Sequence, residues 1–119
     1  MKLVVAIIRP ERLEAVRAEL EATLDELDHY RITVQPVIGH GRQRGQTEYF
    51  RGQEVKAMLV GKTQITIAVN DPYVEPAIQA IIKGARSGPD GAVGDGKIFV
   101  VPLDDCVRIR TGERGGSAI

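Results

Sequence analysis

Cysteine is nearly absent from these 119 residues: Cys106 is the only one. An internal disulfide is therefore excluded, and a reducing cytoplasm is the expected setting. No motif pairs Cys106 with a histidine, so it reads as a small, half-buried apolar filler. Long apolar runs are missing too. The longest strongly apolar run, Leu3 to Ile8, falls far short of the ~20 residues that span a membrane. No charged, apolar, small-residue signal pattern opens the chain. Metal-ligand spacing is absent, since His29 and His40 are isolated. No nucleophile, base and acid form a defensible constellation, so no catalytic residue is assigned and a non-enzymatic role is expected. Net charge is lacking as well, with 16 basic and 16 acidic residues, and no nucleic-acid partner is expected.

The zero balance hides a separation. Residues 11–28 carry seven acids against Arg12 and Arg17, while residues 40–62 carry five bases against Glu48 and Glu54. The acidic stretch reads as a solvated helix face. The basic stretch is glycine-rich, lacks helical periodicity and is the better candidate for meeting an anion.

The length suits one domain, residues 1–119, which buries only about two-thirds of its unfolded surface and gains from oligomerisation. Leu3–Ile8 predicts a strand covered on both faces, because it is continuously apolar. Pro10 fits the first turn of a helix, whose stripe is Leu13, Val16, Leu20, Leu24 and Leu27. His29–Ile38 predicts a second strand, with Pro36 breaking its ladder toward one end or an edge. Residues 39–61 show no sustained period, and a loop of about 41–59 is expected to be functional. Gln64–Val69 alternates as a third strand. Asp71-Pro72 is expected to cap and open a second helix. A second glycine-rich loop, about 86–96, leads to a fourth strand at Ile98–Val101, and Val107–Ile109 could add a short fifth. This order is the ferredoxin-like βαββαβ plan, an α+β sandwich with helices on one face of the sheet. The first strand is apolar on both sides, so a second subunit is expected to cover the other face.

Three segments could meet phosphate. In Gly39-His40-Gly41-Arg42-Gln43-Arg44-Gly45, glycines permit close backbone approach and arginines supply planar, permanent donors. A plain flexible loop fits equally well. Gly94-Asp95-Gly96-Lys97 could be an anion-binding nest with a point charge beside it, or simply a tight turn into a strand. Arg108-Ile109-Arg110, if extended, puts both guanidiniums on one face, where a polyanion or plain solvent could lie. Gly61-Lys62-Thr63 resembles the tail of a P-loop, but Lys56 stands where a glycine is required and no helix follows.

Taken together, Gly39-x-Gly-Arg-Gln-x-Gly, Thr47-Glu48-x-x-Arg51-Gly52, Gly94-Asp-Gly-Lys-Ile-Phe-Val100 and Val107-Arg-Ile-Arg-Thr-Gly-Glu113 resemble the PII nitrogen-regulatory family, over essentially the whole chain. The resemblance implies a cytoplasmic homotrimer with nucleotide sites between subunits, binding ATP or ADP. By analogy Thr33, Gly39, Gly41 and Ala68 hold the base and ribose. Arg42, Gly94, Asp95, Gly96, Lys97, Arg108 and Arg110 meet the phosphates. Gln43 joins Mg²⁺ coordination beside the triphosphate. Arg44, Gly45 and Lys62 surround 2-oxoglutarate, which chelates the same ion. The long loop engages partners, an ammonium channel or a nitrogen-metabolism enzyme, with Arg51 entering the channel. Contact with a membrane is expected only through such a channel. The resemblance also leaves open a carbon or energy sensor responding to ADP, AMP or bicarbonate.

The sequence departs from the family pattern in places. Val55 stands where many relatives carry a uridylylated tyrosine, and it has no hydroxyl. Gln53 replaces a serine that some relatives phosphorylate. Tyr49 is an unmatched hydroxyl in the same loop. Thr66 replaces an acid, and a few residues are added near 24–30 and 86–93.

Overall fold

The computed structural model describes residues 1–24, 31–40 and 59–119, together with the backbone of 48–50 and 53–55. β1 (Lys2–Ile8) leads through a 3₁₀ turn at Pro10–Arg12 into α1 (Leu13–Thr23). β2 (Ile32–His40) follows, then two short strands, β3 (Glu48–Phe50) and β4 (Gln53–Val55), and the long β5 (Leu59–Val69). A second 3₁₀ turn, Asp71–Tyr73, opens α2 (Val74–Ala85), and β6 (Gly96–Pro102) closes the sheet. The four main strands lie in the order β2-β5-β1-β6. Every neighbouring pair is antiparallel. This is the ferredoxin-like arrangement expected from the order of elements.

Strand alternation assigns the two faces. Val4, Ala6 and Ile8 of β1 and Ile65, Ile67 and Val69 of β5 are buried against Val16, Leu20, Ala77 and Ile81 of the helices. Each fully buried Val, Leu or Ile contributes about 1.5–3 kcal/mol relative to exposure. The opposite, helix-free face carries Leu3, Val5 and Ile7, paired across the sheet with Ala68, Thr66 and Gln64 on one side and Val101, Phe99 and Lys97 on the other. Phe99 and Val101 are exposed, at 49% and 44%. The expectation that β1 is apolar on both sides therefore holds, and in the single chain its second face is incompletely covered.

The helices meet at Gly84, where a side chain would sit 2.6 Å from the Val16 Cα. The Arg12 Nε donates to the Gly84 carbonyl at 2.9 Å, so the same contact is also held by the residue that caps the start of α1. No described helix is long and apolar enough to cross a membrane.

Several sequence expectations need correction. β5 begins at Leu59 rather than Gln64, because β2 continues to His40 and supplies partners as far as His40 opposite Leu59. The aperiodic stretch contains a short ladder, Glu48 opposite Val55 through Phe50 opposite Gln53. The edge placement expected for Pro36 holds, since it lies in β2, an edge strand of the sheet. Asp71 is not the cap residue: the N-cap of the 3₁₀ turn is Asn70, and Asp71 is the turn's first residue, its carboxylate meeting the N-terminal ammonium at 2.8 Å. Val107–Ile109 is not a strand. Only Val107 pairs, with Arg114, and the amide of Gly112 donates to the Arg108 carbonyl at 2.8 Å, closing a tight turn. Gly112 has φ +73°, which suits glycine there.

Candidate functional site

The alternation that builds the core also gathers the sequence-predicted residues. Thr33, Gly39, Lys62, Ala68 and Lys97 all fall on the helix-free face. Thr33 lies opposite Thr66, Gly39 opposite Val60, Lys62 opposite Val37, Ala68 opposite Leu3 and Lys97 opposite Ile7. Gly39, Lys62 and Lys97 stand toward one end of the sheet, where β1 finishes and β6 begins. Gly39 and Lys62 are in contact range, since a side chain on Gly39 would meet the Lys62 Cγ at 3.4 Å. Thr33 and Ala68 lie further along the same face, beside the apolar platform of Leu3, Val5, Phe99 and Val101.

The glycine-rich segment between α2 and β6 arrives at that end. Gly88, Gly91, Gly94 and Gly96 all have positive φ. Gly96 carries the strictest requirement, because a Cβ there would overlap the Ile7 carbonyl oxygen. Charged groups tie the segment down. The Lys62 Nζ donates to the Gly94 carbonyl at 2.6 Å. The Arg9 Nε meets Asp95 Oδ1 at 3.2 Å, and its Nη2 donates to the Val93 carbonyl at 2.8 Å. Asp95 Oδ2 accepts the amides of Ser87 at 3.0 Å and Ala92 at 2.8 Å. Burial opposes ionisation of Asp95. The hydrogen bonds from Ser87, Ala92 and Arg9 outweigh it and hold the carboxyl well below the usual range. The Lys62 ammonium is shifted down, by burial first and then by the charge of Arg9, against the pull of Glu11 and Asp95. Lys97 is exposed and makes no ion pair with any described residue. On the helix side the segment borders a cavity of about 340 Å³ lined by Ile8, Ile78, Ile82, Ile98 and Arg86.

Arg108 and Arg110 are not brought to this end. The Leu103 amide bonds the Met1 carbonyl, and the Asn70 side chain bonds the Gly116 carbonyl at 3.0 Å. The C-terminal segment thus packs where β1 begins, and β1 is seven residues long, roughly 20 Å. Within one chain these arginines and Lys97 stand at opposite ends of the sheet. Nor do the two guanidiniums repel each other across a strand. Arg108 pairs with Glu113 at 3.0 Å and donates to the Ser117 carbonyl at 3.3 Å, while Arg110 sits exposed in the turn.

Gly41, Arg42, Gln43, Arg44, Gly45 and Arg51 lie outside the described residues, as do the side chains of Tyr49, Gln53 and Val55. Sequence reasoning missed Arg9. The available signal was a cation closing an otherwise apolar strand, directly before Pro10.

Among the described residues no group of three or more His, Cys, Asp or Glu could hold a metal ion. The described residues thus bring a platform of small and apolar side chains, a glycine-shaped turn and the exposed cation Lys97 to one face of the sheet.

The family described as Nitrogen regulatory protein P-II matches residues 1–113. Nitrogen regulatory protein GlnK1 of Methanosarcina mazei is 51% identical over 119 residues, covering 100% of this chain and 97% of the relative. Nitrogen regulatory protein P-II 2 of Methanothermobacter thermautotrophicus is 47% identical with the same coverage. Nitrogen regulatory protein P-II of Azospirillum brasilense is 44% identical, with both chains covered in full. The chain therefore belongs to the nitrogen regulatory protein P-II family, as a non-enzymatic signalling protein of nitrogen regulation.

Proposed function

We propose that the protein senses ATP or ADP together with 2-oxoglutarate, in the cytoplasm, and reports their levels to a nitrogen-metabolism enzyme or an ammonium channel through residues 41–59. The observation that carries this reading is the separation of Lys97 from Arg110. Both are exposed cations suited to phosphate, and they lie at opposite ends of one sheet. A second copy of the chain, packed on the helix-free face, brings one copy's Arg110 to another's Lys97. The incompletely covered apolar residues Phe99 and Val101 give that packing its driving force. A cyclic homotrimer satisfies the geometry with one site between each pair of subunits.

In this reading the base rests on the platform near Thr33, Gly39 and Ala68. The triphosphate meets Gly94–Lys97 of one subunit and Arg108 and Arg110 of its neighbour, with Arg42 beside them. Asp95 holds the turn through its own amides and does not meet the phosphates. Gln43 would contribute an amide oxygen to Mg²⁺, and the ion would supply positive charge to offset that of the phosphates and the effector. A hard cation takes such ligands. Lys62, with Arg44 and Gly45, offsets the charge of the effector carboxylate. Ligands move the long loop only through different affinities for its states. Arg51 engages the channel, and Val55 removes one site of covalent control from the loop.

Titration calorimetry with ATP, ADP and AMP, each with and without 2-oxoglutarate, tests the proposal. ATP and 2-oxoglutarate should bind with positive, reciprocal coupling in the presence of Mg²⁺. Strong binding of AMP or bicarbonate without any 2-oxoglutarate binding would replace this reading with a carbon or energy sensor.

A further inference from the structure

We infer that Arg9 and Asp95 are positioning residues, whose ion pair shapes the turn ending at Gly96 so that its backbone faces phosphate, while neither side chain touches the ligand. The inference rests on the nucleotide reading above.

Between Ala85 and Gly96 the chain forms no helix or strand. Two backbone bonds close it internally, Gly91 to Gly88 at 3.4 Å and Asp95 to Ala92 at 3.1 Å. A segment with this many glycines has many shapes available unless something selects one. Asp95 selects. Its Oδ2 receives amides from Ser87 and Ala92, eight and three residues earlier, so one oxygen gathers the start and middle of the segment to its end. Oδ1 is held by Arg9. The carboxylate is thus engaged by three donors, its side chain is 18% exposed, and a negative group turned outward would repel phosphate. Asp95 therefore organises the turn and does not bind the anion.

Arg9 does the complementary work from the end of β1. Its fork joins the Asp95 carboxylate to the Val93 carbonyl. In a trans peptide the C=O and the following N–H point in opposite directions. Holding the Val93 carbonyl therefore turns the Gly94 N–H away from Arg9. That N–H finds no acceptor among the described residues. Lys62 holds the next carbonyl in the same way. The turn is fixed by its carbonyls, which leaves an amide for an incoming oxyanion.

The test is calorimetry of ATP and of adenosine, with and without Mg²⁺, on the native chain, Arg9→Ala, Asp95→Ala and the double variant. Amide hydrogen exchange at Ser87 and Ala92 is read alongside. Each single variant should weaken ATP by roughly tenfold, the size of one lost charge-assisted contact. The double variant should be little worse than either single one, because both break the same clasp. Adenosine affinity should stay native, the loss should be equal with and without Mg²⁺, and exchange at Ser87 and Ala92 should quicken while the core amides stay protected. A loss seen only with Mg²⁺ would overturn the inference by making Asp95 a metal ligand. An equal loss for adenosine would overturn it by showing general damage to the fold. If native protein binds ATP and the variants match it, only this inference falls. If native protein binds no ATP, the nucleotide reading falls and takes this role with it.

Discussion

Lys62 and Gly94 are 32 positions apart in the chain, and the ammonium of one meets the carbonyl of the other at 2.6 Å. The contact joins the strand that follows the long loop to the turn that precedes β6. It places the cation assigned to the effector on the segment assigned to phosphate. An effector carboxylate that recruits Lys62 competes with Gly94 for it. Lys62→Ala should therefore lose 2-oxoglutarate binding by ten- to hundredfold, the order expected for a charge-assisted contact. It should weaken ATP far less. Calorimetry of each ligand separates the two effects, and an unchanged 2-oxoglutarate affinity would remove Lys62 from the effector site.

Gly84→Ala tests the packing that holds the helices on the sheet. In an exposed helix this change adds stability, up to ~1 kcal/mol. Here the new methyl would sit 2.6 Å from the Val16 Cα and 2.8 Å from its backbone nitrogen. Backbone cannot rotate away, so α1 must shift. A loss of about 1–3 kcal/mol is expected, read from the urea midpoint. A variant as stable as the native chain would show that the helices do not approach so closely.

Asp95 predicts a pH dependence with a definite sign. Its folded carboxyl lies well below the ordinary value because Ser87, Ala92 and Arg9 stabilise the charged form against the effect of burial. A depressed carboxylate stabilises the fold fully above its unfolded value of about 3.9 and loses that contribution as pH falls toward the folded one. The stability gap between native protein and Asp95→Asn should be flat from about pH 8 to pH 5 and shrink below about pH 4. Thermal unfolding across that range measures it. A gap closing between neutrality and pH 5 would contradict the clasp.

The fold was legible where one period dominated. The run Leu3–Ile8 and the stripe Leu13, Val16 and Leu20 each admit one regular element, and their order fixes the plan. It was not legible where partners decide. Leu59–Thr63 extends β5 because β2 lies beside it, and no local pattern in Gly61-Lys62 says so. Arg108-Ile109-Arg110 alternates as a strand does, yet the Gly112 amide closes it into a turn. Glycines marked the turn before β6. Nothing in the sequence showed that Asp95 would face inward to its own amides, or that Arg9 would reach it across 86 positions.

The most direct test of the account mixes two damaged proteins. Lys97→Ala and Arg110→Ala should each weaken ATP by ten- to hundredfold when alone. Their positions at opposite ends of the sheet require that a site take Lys97 from one subunit and Arg110 from another. Unfolding the two variants together and refolding them should create mixed trimers in which about one site in four carries both native residues. Calorimetry should then find that fraction of sites at native affinity, in a mixture of two proteins that each lack it. Recovery of no native site, with mixed trimers verified by native mass spectrometry, would contradict the intersubunit site and the nucleotide-sensing account built on it.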